Sequence, residues 1–297
     1  MITHRFFTVV RLVGITWLHL LLLNNINMNP VESLTTTSTN QGHSSIVKAI
    51  LFDIDGTLVN TDSIHLAVFQ ELLLQEEDFQ LEQDMEKKNP IDEDFFRQYI
   101  SGRANALITA DFFPSWSLNK REAFSIRKEE RFRELSKDQL KELKMPGLDR
   151  IRKWVDNNGL GKAAVTNAPR LNGESMLCGI GYRNWFGQDG LIIGDECEKP
   201  KPDPCPYLTA CQHITVVDKE GKNKKSIVFA EDCLVFEDSP SGARAGVAAG
   251  AFVIGITSGQ DKKTLHDAGC QLVIQDFEDP KLWNHLNTLI PTPPTIS

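Results

Sequence analysis

Residues 47–60 read VKAILFDIDGTLVN, and the interpretation of the whole chain turns on this stretch. The run 47–52 is short, apolar apart from Lys48, and stopped abruptly by Asp-Ile-Asp-Gly-Thr. A run of that length ending in a loop predicts a strand buried on both faces, as in a parallel sheet. Just beyond it, Asp53 and Asp55 are separated by one residue, and Gly56 permits a sharp turn. A carboxylate at the first position can attack phosphorus and divide a hydrolysis into two easier steps. A carboxyl group at the second can protonate the leaving oxygen and then activate water. An Asp- and Gly-rich turn is common by itself, so the chemistry has to be sought at the other strand ends.

Further apolar runs lie at 163–165, 191–193, 234–236 and 252–256, with helical stretches between most of them. This alternation predicts an α/β fold with a doubly wound parallel sheet. Residues 61–145 contain no comparable strand. Helix-like segments at 63–75 and 120–143, the second with the charge of a solvated helix face, mark them as a helical insertion after the first strand, leaving 46–60 and 146–297 as the core. Residues 214–233, containing DKEGKNKK, read as a long exposed loop. Displacement of the strand after it would misplace the carboxylates that follow.

Each remaining strand end carries groups suited to a phosphorylated ligand. Thr166 and Asn167 follow the second run, where a hydroxyl and nearby main-chain N–H groups can hold phosphate oxygens. After the third comes Glu198-Lys199-Pro200-Lys201-Pro202-Asp203-Pro204, a proline-stiffened segment able to fix an ammonium against phosphate and nucleophile. The fourth ends in Phe236-Glu237-Asp238-Ser239, ahead of Gly242, Gly246 and Gly250. Carboxylates there can complete a Mg2+ shell, because that ion demands oxygen ligands. Parallel sheets assemble their sites along the edge where all these groups fall.

With those residues in place, the chain from about 47 to 290 resembles the haloacid dehalogenase superfamily, in its phosphoglycolate phosphatase and β-phosphoglucomutase-like branch. It is most similar to plant sugar-phosphate phosphatases, through ILFDIDGTL, AAVTNAP, VFEDSPSGARAGVAAG and DPKLW. The resemblance implies a Rossmannoid core with an inserted α-helical cap over residues 61–145. It implies that Asp53 is nucleophile and metal ligand, and that Asp55 is general acid/base with its carbonyl on the metal. Thr166 and Asn167 would hold phosphate, Lys201 would be the catalytic lysine, and Asp238, supported by Glu237, would bind Mg2+. Lys201 is preferred to Lys199 because Tyr207 stands six residues after it, in the register of the similar family stretch. The pair Glu231-Asp232 is set aside for lack of the downstream serine and glycines. In the cap, Arg103 of Ser101-Gly102-Arg103-Ala104-Asn105 is expected to touch phosphate or sugar oxygens, and His65 to lie beside the acid/base. Ala104 replaces a larger polar residue of the similar family loop, which points to a different substrate preference. The implied activity is a Mg2+-dependent phosphatase of small phosphorylated metabolites such as sugar or polyol phosphates. A mutase and a catalytically silent sugar-phosphate-binding regulator are the alternatives.

Composition agrees with an ordinary folded protein. Among 297 residues, 32 basic side chains face 40 acidic ones, a net charge of -8 that supplies no field for gathering nucleic acid. The six cysteines form no C-x-x-C pair and no N-x-[ST] sequon occurs, which favours a reducing, cytoplasmic location. Residues 1–45 read as an N-terminal extension. The apolar run 6–23 is interrupted by Arg11, so an extended start is preferred to a signal peptide or an organellar targeting segment within residues 1–28. No stable membrane association is expected, and a monomer is favoured.

Overall fold

The computed structural model describes residues 47–79, 91–217, 223–225 and 227–289, so the reading of the N-terminal extension lies outside the described residues. In chain order the strands are β1 (Ala49–Phe52), β2 (Gly161–Thr166), β3 (Leu191–Ile193), β4 (Thr215–Val217), β5 (Asn223–Lys225), β6 (Cys233–Glu237), β7 (Phe252–Ile256) and β8 (Leu272–Ile274). Among the described residues, six run parallel in the order β3-β2-β1-β6-β7-β8. Strand β1 is central, with Phe52 in register with Ala164 on one side and Phe236 on the other. The chain proceeds from β1 outward to β2 and β3, then resumes across β1 at β6, so the topological switch point lies between β1 and β6.

Alternation along β1 builds two cores. Ile50 and Phe52 join one cluster, Ala49 and Leu51 the other, because successive side chains leave a strand on opposite faces. Phe52 stacks on its register partner Phe236 with ring centroids 5.4 Å apart and planes 9° apart, and Phe277 closes on both rings edge-on. The second face carries smaller residues, among them Ala163, Val165 and Val235. They receive helices α7 (Cys205–Gln212) and α8 (Pro240–Ala249) at close range. Ser239 caps α8 by accepting from the Gly242 N–H at 3.1 Å, and Pro240 fills the first helical position.

After β1 the chain leaves the sheet and returns along the same path. Asn60 N–H donates to Leu143 O at 2.9 Å and Met145 N–H to Leu58 O at 3.0 Å, so the two linkers bridge each other antiparallel at Val59 and Lys144. Between them lie four helices: Asp62–Leu73, Glu93–Tyr99, Asn105–Phe112 and Leu118–Ser136. In order along the chain we call these α1 to α4. Helix α4 packs on α1 and α3, and a ring cluster of Phe79, Phe95, Phe112, Phe113, Trp116 and Phe124 supplies the interior. Within the described residues, no helix is long and apolar enough to cross a membrane.

The segment expected as a plain loop at 214–233 is different. Strands β4 and β5 pair antiparallel, and Thr215 pairs with Lys162 at the start of β2. The hairpin therefore extends the sheet beyond β2 at one end, while β3 takes the other end of the same edge. Residues 218–222 and 226 of that segment lie outside the described residues. Because the extra chain is absorbed at the edge, β6 keeps its place beside β1 in full register.

Candidate active site

Asp53 is the first residue past β1, and its N–H still donates to Phe236 O at 3.0 Å, which fixes the carboxylate at the switch point. Its Oδ1 accepts from Lys201 Nζ at 2.7 Å. The same ammonium donates to Val165 O and to Glu237 Oε1, each at 2.7 Å, so all of its N–H donors are taken. Glu237 is fully buried and also accepts from Tyr207 OH at 2.6 Å and Ser239 Oγ at 3.2 Å. Tyr207 projects from α7, the helix that the lysine segment leads into, which gives the +6 aromatic a physical reason. Asn167 fastens that segment: its Nδ2 donates to Lys201 O at 3.0 Å and its Oδ1 accepts from Lys201 N–H at 3.1 Å. The peptide bond between Lys201 and Pro202 is cis. Lys199 points elsewhere, 67% exposed and 3.9 Å from Asp203.

Asp55 sits two residues beyond Asp53 in a different setting. His65 Nε2 lies 2.6 Å from its Oδ2, and Thr61 Oγ1 donates to its Oδ1. The His65 ring stacks on Phe132 of α4 at 4.2 Å, which holds the imidazole edge toward the carboxyl. His65 thus meets the other end of the chemistry through Asp55. Ser258 Oγ donates to Gly56 O at 2.6 Å and ties down the turn between them. Gly56 has φ of +83°, and a Cβ there would overlap the Asp238 carboxylate, so a glycine is needed on both counts.

Asp53, Glu237 and Asp238 bring one oxygen each to within 4.8 Å of one another. Burial pushes the Asp53 carboxyl up to about 7, with Lys201 opposing and Glu237 adding to the rise. Burial, then Asp53 and Glu237, raises Asp238 well above the usual carboxylate range. Lys201 is held above its ordinary value, because the pull of Asp53 and Glu237 outweighs its own burial. One ammonium among several buried carboxylates leaves negative charge that a hard divalent cation would offset. The converging oxygens of Asp53 and Asp238 are the hard donors such an ion takes. Glu237 is committed to Lys201, Tyr207 and Ser239, so its observed contacts make it a support for the lysine.

Residues of the insertion and of the core line the site together. Asp53, Asp55, Thr166 and Lys201 line one cavity with His65, Lys128 and Glu129. Its volume is about 100 Å³. Thr166 is buried, and its Oγ1 accepts from Ala168 N–H at 3.0 Å. Arg103 borders the cavity, but its guanidinium donates to Tyr99 O at 2.8 Å and pairs with Asp111 within the insertion. Two groups escaped the sequence reading. Asp62, the first residue of α1, is raised to about 6 by burial and by Asp55. Lys128 and Glu129 on α4 are buried and joined at 2.9 Å, although the charged run 120–143 gave the pattern of a solvated helix face. Asp232, set aside above, pairs with Lys48 at 2.7 Å, away from the cavity.

Comparison with known proteins supplies the family context. The family model described as haloacid dehalogenase-like hydrolase matches residues 50–256. The chain is 29% identical over 217 residues to the N-acetylmuramic acid 6-phosphate phosphatase of Pseudomonas aeruginosa, covering 72% of this chain and 85% of that one. A phosphorylated carbohydrates phosphatase of Thermotoga maritima is 24% identical over 234 residues, covering 78% and 96%. Among solved structures, a HAD hydrolase of family IA, variant 3, from Entamoeba histolytica superposes with a TM-score of 0.66 at 24% identity, over 82% of this chain and 99% of that one. A β-phosphoglucomutase from Clostridium difficile gives 0.63 at 17% identity, over 82% and 97%. At these identities the structural likeness speaks for the fold.

Proposed function

This chain belongs to the haloacid dehalogenase-like hydrolases, and from that premise we propose that it is a phosphoric monoester hydrolase acting on small sugar or polyol phosphates. The observation that carries the reading is the Asp53 carboxylate, fixed at the switch point by Lys201 at 2.7 Å and facing the cavity where Asp55 and Thr166 converge. The relatives named as phosphatases of phosphorylated sugars support the substrate class.

In this reading an Asp53 oxygen attacks phosphorus and forms an aspartyl-phosphate. Asp55, oriented by Thr61 and His65, donates a proton to the leaving oxygen and then accepts one from the water that hydrolyses the acyl phosphate. The Thr166 hydroxyl donates to the transferring group, and the Lys201 ammonium, bound to Asp53, offsets its charge. Asn167 acts through the Lys201 main chain, and Glu237 through the Lys201 ammonium. Asp53, Asp238 and the Asp55 carbonyl would hold Mg2+, which when bound offsets repulsion between a phosphate dianion and the nucleophile. The four helices of residues 61–145 act as a cap that excludes water during transfer.

The test is phosphate release from a panel of sugar, polyol and aryl phosphates with Mg2+. Turnover is expected in the wild type and none in Asp53→Asn, with an unchanged circular dichroism spectrum. Full activity in the variant would exclude the covalent route. A hexose 1-phosphate converted to its 6-phosphate without net phosphate release would replace hydrolysis by mutase chemistry.

A further inference from the structure

Lys128 and Glu129 are consecutive on α4, yet both turn inward, 6% and 7% exposed, and both line the cavity above Asp53. Glu129 Oε1 accepts from Lys128 Nζ at 2.9 Å and from Asn105 Nδ2 at 2.5 Å, while its Oε2 accepts from Asn172 Nδ2. Asn172 lies on α6 (Arg170–Gly179) of the core, and its Oδ1 accepts in turn from Arg133 at 2.6 Å. The carboxylate is thus anchored from three elements and cannot swing away from its lysine. Lys128 has only this one hydrogen-bonded partner among the described residues and keeps donors for a ligand. A buried ammonium alone on this wall would attract a second phosphate. With the carboxylate fixed beside it the wall carries no net charge, but it still offers N–H donors and carboxylate acceptors.

We infer that Glu129 is a specificity-determining residue: by neutralising Lys128 it selects monophosphates whose remote end carries uncharged hydroxyls, and rejects bisphosphates. The inference rests on the phosphatase reading above. A sugar hydroxyl both donates and accepts, and so matches the pair. A remote phosphate dianion only accepts, and it meets Glu129 as a like charge.

The experiment compares kcat/KM for a hexose 6-phosphate and the corresponding hexose 1,6-bisphosphate in the wild type, Glu129→Gln and Lys128→Met. Wild type is expected to prefer the monophosphate at least tenfold. Glu129→Gln should move that ratio at least tenfold toward the bisphosphate, chiefly through KM. Lys128→Met should move it the opposite way, and it carries the test alone if Glu129→Gln does not fold. A wild-type preference for the bisphosphate, or a ratio unmoved by the variants while 4-nitrophenyl phosphate is still hydrolysed, would overturn this inference and leave the phosphatase reading standing. A wild type inert toward every phosphomonoester, aryl phosphate included, would remove both.

Discussion

Lys201 and Lys199 differ in sequence by one register step and in environment by nearly everything else. Lys201 is buried and serves three acceptors, including two carboxylates of the site. Lys199 is in solvent, near Asp203 only. Lys201→Ala is therefore expected to lower kcat at least ~100-fold and to destabilise the fold by about 3 kcal/mol or more, since Glu237 is left buried without its cation. Lys199→Ala should change either quantity little, because exposed pairs of this kind contribute about 1 kcal/mol or less. Steady-state kinetics and denaturant unfolding of the two variants check both expectations. Much of this residue-level picture was legible in the chain, because strand-end residues of a parallel sheet converge whatever their separation in sequence. The parts that were not legible depend on side-chain direction. Arg103 turns to Asp111, and Glu237 turns to Lys201, for reasons of packing that no local pattern records.

The strands at 191–193 and 252–256 coincide with the apolar runs read from sequence, and those at β1, β2 and β6 differ from theirs only at the ends. Strands β4, β5 and β8 were missed. Asn223–Lys225 is polar and β4 only three residues long, so neither carries the continuous apolar signature that marks a buried strand. The consequence of their edge position is testable. The hairpin's flanks already meet, Val228 N–H donating to Cys211 O at 3.2 Å. Replacing residues 216–226 by a short glycine-serine turn should leave phosphate release within about threefold of wild type, since loop length itself is energetically inexpensive. A dead but folded product would mean that the hairpin does more than extend the edge. Helix α4 makes the other element-scale case. Burial alone would raise the Glu129 carboxyl, but Lys128, His65 and the hydrogen bonds to it outweigh burial and hold it below its ordinary value of 4.5. A group depressed in the fold stabilises it fully above the ordinary value, and loses that contribution as pH falls through the folded value. The difference in melting temperature between wild type and Glu129→Gln should therefore be constant from pH 7 to about 5 and shrink below about 4. Thermal melts across that range measure it.

At the scale of the whole molecule, buried carboxylates gather where the sheet ends. Asp53 just past β1 and Glu237 and Asp238 at the end of β6 are buried side by side there. That crowding works against folding, and a bound cation would relieve it. Millimolar Mg2+ is expected to raise the melting temperature and EDTA to reverse the rise, because an ion that binds only the native state adds its binding free energy to stability. In Asp238→Asn the Mg2+-dependent rise should vanish along with turnover, as read by differential scanning fluorimetry. An undiminished rise would place the ion elsewhere.

One contact between the two halves of the molecule has a further consequence. Gly102, at φ +70°, comes so near Ser239 that a Cβ would stand 2.5 Å from the serine's own. The insertion and the core are separated at that point by the width of a missing methyl group. Any side chain there would act as a doorstop. Held off by that side chain, the loop at Gly102 would leave a gap beside Ser239, and solvent would reach the phosphoryl group before the leaving alcohol had cleared.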